Sequence, residues 1–273
     1  MNILLENIAE AKRYIQGETK VKPGIGIILG TGLGPLTEKI ENKISIPYKK
    51  IPFFPETTME MHAGNLILGN IGGKSVVVMQ GRFHLYEGYS ESQITFPVRV
   101  MNALGIKILI ESNIAGGMNP DYKPGDLVLI GDHINLMGGS PLVGPNDERL
   151  GPRFPDMSEP YDLKLMELAE KVALEEKIPL KKGVYVGLVG PNLETKAEYR
   201  FLRGIGGDLV GMSTVPEVIV AVHCGLRVLG ISVVSDRCLP DALKPVSIKE
   251  LLKVSAAAEP KLTHLVEKII KKI

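Results

Sequence analysis

Along the chain, short runs of apolar and β-branched residues alternate with segments whose apolar positions recur at intervals of three and four. Runs such as "IGIIL" (25–29) and "SVVVMQ" (75–80) offer apolar side chains to both faces, as strands do when helices cover a sheet on both sides. The pattern predicts strands over 25–29, 75–80, 106–112, 126–134, 183–189, 208–212 and 227–235. It predicts helices over 3–16, 92–104, 162–177, 195–204, 215–224 and 248–272. Capping-box spacing supports three of these: Thr195 with Glu198, Thr214 with Glu217, and Ser247 with Glu250. "GGKS" (72–75) reads as a β-turn between strands, since a P-loop would need glycine where Leu68 stands. Strand and helix alternate without a low-complexity linker, so the expectation is one α/β domain over 1–273. The segment 138–160 is a Gly- and Pro-rich loop long enough to serve a site or a subunit contact.

The unusual residues fall where the strands end. "GTGLG" (30–34), "GRFHLY" (81–86), "SNIAGG" (112–117), "GPNLET" (190–195), "MSTVPE" (212–217) and "SDRC" (235–238) each close an expected strand. Ligands bind at the carboxyl edge of open α/β sheets, because loops converge there and helix N-termini point into the crevice. These six strand ends therefore nominate one composite site.

Composition limits what that site can be. A net charge of +1, with 44% hydrophobic and 23% charged residues, gives no general attraction to nucleic acid or to membrane, so any anion site is local. Cys224 and Cys238 are too few and too far apart for a disulfide framework or a zinc site, and they read as structural thiols in a reducing, cytoplasmic setting. No apolar run reaches the roughly 18 residues of a membrane span. The N-terminus "MNILLENIAEAKRYI" has acids and helical spacing in place of a signal-peptide core, and the mature chain is expected to be the whole chain.

"GTGLG" is not a dinucleotide fingerprint, because GxGxxG would need glycine where Pro35 stands. Its backbone can still present N–H groups to an anion, with the Thr31 hydroxyl as a further donor, or serve as a structural turn. Arg82, His84 and Tyr86 alternate along an extended segment and should share one side. A guanidinium binds two phosphate oxygens at once and an imidazole adds a third donor. Ser213 either caps the helix that follows or offers its hydroxyl to the same anion. Glu194 is a helix-start acid or an acceptor for purine N–H groups. Glu87, three residues after His84, either orients the imidazole or is solvated.

Taken with "HAGN" (62–65), "MQGRFHLYEGY" (79–89), "GPNDERLGPRFPDMS" (144–158) and "GMSTVPEVIVAVHCGLRVLGIS" (211–232), these motifs resemble the trimeric purine nucleoside phosphorylases over nearly the whole chain. The resemblance implies a phosphorylase/hydrolase-like α/β fold: a mixed, largely parallel central sheet flanked by helices. It implies phosphate-dependent cleavage of a purine nucleoside to free base and ribose 1-phosphate, with inorganic phosphate as co-substrate and no metal or organic cofactor. Phosphate would be held by Thr31, His62, Arg82, His84, Ser213 and the backbone N–H of Ile114. Tyr86, Ala115 and Met212 would contact the nucleoside, with Glu194 at the purine N1 side. His84, Glu194 and Asp236 would carry the catalytic roles, and a cytoplasmic homotrimer would share its active sites.

Besides Thr31, where the family more often has Ser, the chain departs from the family pattern at four places. Asp236 stands where the family has Asn facing N7 and the 6-substituent, and Ile248 where it has a His near the ribose 5′-hydroxyl. Aromatic positions become Leu193 and, from the long loop of a neighbouring subunit, Leu150. Asp236 and an apolar residue at 248 also suit the sister methylthioadenosine phosphorylases, which is the alternative reading; a non-catalytic nucleoside-binding protein is another. The sequence pairs two further expectations with these residues: Arg82→Ala should leave folding nearly intact, and Asp236 either faces the purine or turns away to pair with Arg237 or another basic group.

Overall fold

The computed structural model describes residues 3–30, 34–58 and 63–273. Its strands are β1 (Ile25–Leu29), β2 (Glu41–Pro47), β3 (Asn65–Ile71), β4 (Lys74–Gln80), β5 (Ile108–Gly117), β6 (Leu127–Asn135), β7 (Leu180–Gly187), β8 (Leu209–Gly211) and β9 (Arg227–Arg237). The helices are α1 (Ile3–Glu18), α2 (Glu91–Leu104), α3 (Leu163–Glu175), α4 (Lys196–Gly204), α5 (Val215–His223) and α6 (Ile248–Lys272). The strands form one sheet in the order β2-β3-β4-β1-β5-β8-β7-β6-β9. Pairing is parallel for β1 with β4 and β5, β5 with β9, and β7 with β6 and β8; it is antiparallel for β2–β3, β3–β4, β5–β8 and β6–β9. The α/β class and the mixed, largely parallel sheet are as expected.

Closure was not foreseen. Strand β9 pairs with both β6 and β5, so β5, β8, β7, β6 and β9 form a ring that leaves those strands no edge. The apolar runs explain why the centre holds: every residue of β1 is buried, and Val76, Val77 and Val78 of β4 have no exposed surface. Burying a side chain of that kind contributes roughly 1.5–3 kcal/mol.

The pattern missed β2 and β3 for different reasons. Most of "ENKISIP" faces solvent, so it carries no apolar run, and Gly69 and Asn70 interrupt the run of β3. The expected turn at "GGKS" is present: Gly72 and Gly73, at φ 57° and 81°, join β3 to β4 in the left-handed geometry that a two-residue hairpin needs. Strands β5 and β9 run further than expected, to Gly117 and Arg237, so "SNIAGG" and "SDR" lie inside strands and not in loops after them. Polar residues do not break β5 because their groups are bonded: the Ser112 hydroxyl donates to the Ile28 carbonyl (3.2 Å) and the Asn113 amide to Thr214 Oγ1 (2.9 Å).

Two of the three capping boxes stand in some form. Thr195 and Glu198 exchange both bonds, and Ser247 Oγ accepts from the Glu250 N–H. Thr214 caps nothing: it sits at φ 71°, ψ −54°, with the Val215 N–H bonded back to the Ser213 carbonyl at 2.8 Å. That is the geometry of a strained γ-turn, rare for a β-branched residue.

Candidate active site

A cavity of about 430 Å³, in the range of small-molecule sites, opens where the ends of β4, β5, β8 and β9 meet. Gly30, Arg82, His84, Tyr86, Ile114, Ala115, Leu193, Glu194, Met212, Ser213, Asp236 and Ile248 all line it. The strand ends singled out in the sequence thus meet at one cavity, although one step of that derivation needs correction. Strand β8 runs against β5, with Val210 opposite Gly116, so Met212 and Ser213 reach the cavity by passing back along β5 and not by sharing its carboxyl edge.

One cluster in the cavity is cationic. Arg82 is only 1% exposed, which makes it a buried residue and not a crevice-edge one. Its Nη1 donates to Ser213 Oγ (2.9 Å) and Thr214 Oγ1 (3.0 Å), and Thr214 Oγ1 also accepts from Asn113. The strained turn at Thr214 thus aims a hydroxyl at the guanidinium, the kind of place where strain accompanies function. Helix α5 begins immediately after it and directs its positive end at the same region. The Ser213 N–H donates to the Tyr185 hydroxyl at 3.3 Å, and burial pushes that phenol up to about 12, so it stays neutral.

His84 stands beside Arg82, although the extended segment ends there. Residues Leu85–Glu87 form a 3-10 turn, and Tyr86 joins His84 by stacking on it, with ring centroids 4.6 Å apart and planes at 15°. Burial and the charge of Glu87 raise the Tyr86 phenol to about 12, which keeps it a donor. Of the two readings of Glu87, the orienting one holds. Its Oε1 lies 2.9 Å from His84 Nδ1 and accepts from the His84 N–H, while Oε2 accepts from the Thr58 N–H (3.0 Å) and hydroxyl (2.6 Å). Despite the cost of burial, bonds from His84 and Thr58 hold its carboxyl at about 2, below the ordinary 4.5.

Because the folded value is depressed, this carboxylate contributes stability that is complete above 4.5 and is lost as pH falls through about 2. Glu87→Gln should therefore flatten the acid side of the stability curve between those limits. Acid titration followed by circular dichroism measures this, and an unchanged acid limb would refute it.

The second cluster is acidic. Asp236 Oδ1 accepts from the Ser235 hydroxyl (2.6 Å) and Oδ2 from the Cys238 thiol (3.4 Å). Arg237 turns away, donating to the Pro120 (2.9 Å) and Tyr122 (3.2 Å) carbonyls, so the pairing of Asp236 with Arg237 is not formed. Cys238 is more than a structural thiol. It lines the cavity, and burial together with Asp236 raises its thiol beyond the normal range. Tyr199 packs between Cys238 and Glu194, its phenol held neutral by burial and by those two neighbours. The wall at the start of α6, formed by Val246, Ile248, Leu251 and Leu252, is apolar.

A model of the phosphorylase superfamily matches residues 24–271. Purine nucleoside phosphorylase 1 of Bacillus subtilis is 51% identical over 97% of this chain and 98% of its own length. Purine nucleoside phosphorylase of Schistosoma mansoni superposes with a TM-score of 0.94 at 46% identity, in complex with adenosine over 98% of both chains, and in complex with inosine over 98% of this chain and 97% of the other. The chain belongs to the purine nucleoside phosphorylase family.

Purine nucleoside phosphorylases are pentosyltransferases, and the residues assigned by resemblance to that family divide into three groups here. Arg82, His84, Tyr86, Ile114, Ala115, Leu193, Glu194, Met212, Ser213, Asp236 and Ile248 converge on one cavity. Thr31 and His62 lie outside the described residues. Leu150 is half-buried against this chain's own core and does not line the cavity. Sequence reasoning missed Glu111, Glu217 and Asn113 beside Arg82, and Tyr199 and Cys238 beside Glu194. A signal existed for the two glutamates, since each is the lone acid of a largely apolar run, "ILIE" (108–111) and "VPEVIVAV" (215–222). Among the described residues no group of three or more His, Cys, Asp or Glu is placed to hold a metal, and no helix is long and apolar enough to cross a membrane.

Proposed function

We propose that this chain, as one domain over 1–273, transfers the pentosyl group of a purine nucleoside to inorganic phosphate. The observation that carries the reading is that one cavity has two opposite chemistries: Arg82 and His84 with the Ser213 hydroxyl in one cluster, Glu194 and Asp236 in the other. An anion suits the first, and a base rich in N–H groups suits the second. Tyr86 and Met212 are the contacts for the sugar between them. As the glycosidic bond breaks, positive charge grows at C1′ and negative charge on the purine. A phosphate fixed on Arg82 stabilises the first and then captures it, so catalysis is positioning and preorganised electrostatics, with no cofactor in the proposal.

Incubation with inosine and with adenosine, each with and without phosphate, tests this. Base release that requires phosphate is the expected result; binding without release would leave a nucleoside-binding protein.

The apolar wall around Ile248 bears on the methylthioadenosine alternative. An isoleucine cannot hydrogen-bond a 5′-hydroxyl, so kcat/KM for inosine and 5′-deoxyinosine should differ by less than the roughly 1–3 kcal/mol that a lost buried partner costs. A strong preference for inosine would mean that another donor serves the 5′ position.

The cytoplasmic homotrimer belongs to the same proposal. Loop 138–160 presents Val143 and Phe154 at 84% and 86% exposure, large apolar side chains that a monomer would leave in water. In a cyclic trimer with shared sites, Leu150 is the residue assigned to a neighbour's sugar pocket. Light scattering on the native protein should give three chains per particle, and a fully active monomer would refute the sharing.

A further inference from the structure

Behind the cationic cluster, Arg82 is wedged between two carboxyl groups, neither of which lines the cavity. Glu217 of α5 lies 3.3 Å from its Nε and Glu111 of β5 lies 3.5 Å from its Nη2, and neither side chain is more than 4% exposed. One cation thus faces two acids in a place closed to water. With both acids ionised, the trio would carry a net negative charge directly behind the phosphate position, which is costly to bury and repels the co-substrate.

The hydrogen-bond inventory points the same way. Among the described residues neither carboxyl oxygen of Glu111 receives a hydrogen bond, and Asn113 Oδ1 and the Ser232 hydroxyl also lack one. These groups share a face: Glu111 and Asn113 alternate along β5, and the register sets them beside Gly230 and Ser232 of β9. A proton on Glu111 turns one of these two oxygens into a donor toward its neighbours.

The groups that act on Glu111 are few. Arg82 attracts its charged form and Glu217 repels it; burial outweighs both and raises its carboxyl well above the usual range. Tyr161, from the segment before α3, and Tyr185 of β7 are phenols kept neutral by burial. Beyond Tyr161 lie Asp132 and His133 of β6, with His133 Nδ1 3.1 Å from the Tyr161 hydroxyl and its ring kept neutral by burial.

We infer that Glu111 is a positioning residue held as a neutral acid behind Arg82, leaving Glu217 as the guanidinium's counter-charge and its front face attractive to phosphate. The inference rests on the reading of Arg82 as a phosphate ligand. It carries a consequence that simple packing would not: the two acids share one ionisation, so removing the charge of Glu217 makes Glu111 ionise in its place.

Infrared difference spectra near neutral pH test this. The spectrum of the native protein minus that of Glu111→Gln should contain the carbonyl stretch of a protonated carboxyl group. Glu217→Gln should lack the same band. Calorimetric titration with inorganic phosphate over the alkaline range, where phosphate is a dianion throughout, provides the functional readout. Native affinity should weaken in step with loss of the band, whereas Glu111→Gln, with no proton to lose, should stay level. A spectrum that Glu111→Gln leaves unchanged overturns the inference, as does an affinity that falls equally in both proteins. Arg82→Ala separates the two levels: native-like phosphate binding in that variant removes the phosphate site itself, whereas lost binding together with an unchanged Glu111→Gln spectrum removes only the role of Glu111.

Discussion

Arg82→Ala is expected to raise the apparent KM for phosphate by about thirtyfold or more, the equivalent of about 2 kcal/mol for a buried charge-assisted contact. The KM for nucleoside should change far less, because the acidic cluster around Glu194 and Asp236 shares no hydrogen bond with Arg82 among the described residues. The sequence led us to expect near-intact folding in this variant, and the structure corrects that. Arg82 is 1% exposed and ion-paired to Glu217, so its removal strands a buried carboxylate. Breaking such a pair from one side typically costs about 3–5 kcal/mol. Thermal melting should therefore show a marked loss of stability alongside the kinetic effect. A phosphate KM within about twofold of native would remove Arg82 from the phosphate site.

The order of elements was legible because buried strands leave an unambiguous trace. Strands β1 and β4 are short runs apolar on both faces, and the similar run of α5 is told apart by the Pro216 and Glu217 that open it as a helix. Strand β2 left no such trace, since its stability comes from hydrogen bonding to β3 more than from its own burial. The site was legible at Arg82, His84, Glu194 and Asp236, because charged or polar residues at strand ends stand out against apolar neighbours. What could not be read was partnership across the chain. The spacing of Thr214 and Glu217 fits a capping box, yet both side chains serve Arg82, which is 132 residues from Thr214 in the chain. Glu111 was visible as an acid in a core strand, and the physical rule that a buried acid needs a partner could have flagged it. Naming that partner required the fold. Cys238 was read as a structural thiol from the number and separation of the cysteines; immediately after β9 it lines the cavity and donates to Asp236, a contact that spacing does not reveal.

Asp236→Asn should shift base preference, and the geometry around Asp236 gives the direction. Both oxygens already act as acceptors, from Ser235 and from Cys238, and Arg237 is committed to backbone carbonyls elsewhere. A carboxylate so placed meets the base as an acceptor. A 6-amino group offers it a donor, whereas the 6-oxo oxygen of inosine or guanosine faces another lone pair. An asparagine amide supplies both a donor and an acceptor at one site and can rotate to serve the 6-oxo group. The native enzyme is therefore expected to cleave adenosine with phosphate, and Asp236→Asn to move the ratio of kcat/KM for inosine over adenosine upward. A hydrogen bond gained or lost at a buried polar position is worth about 1–3 kcal/mol, so the ratio should rise by roughly fivefold to 160-fold. Phosphate KM should stay close to native, because Arg82, Ser213 and His84 are untouched, which distinguishes a base-specific effect from general damage. Steady-state rates with both nucleosides at saturating phosphate, in the native protein and the variant, decide it. The assignment fails if the native enzyme ignores adenosine, or if the substitution leaves the ratio where it was.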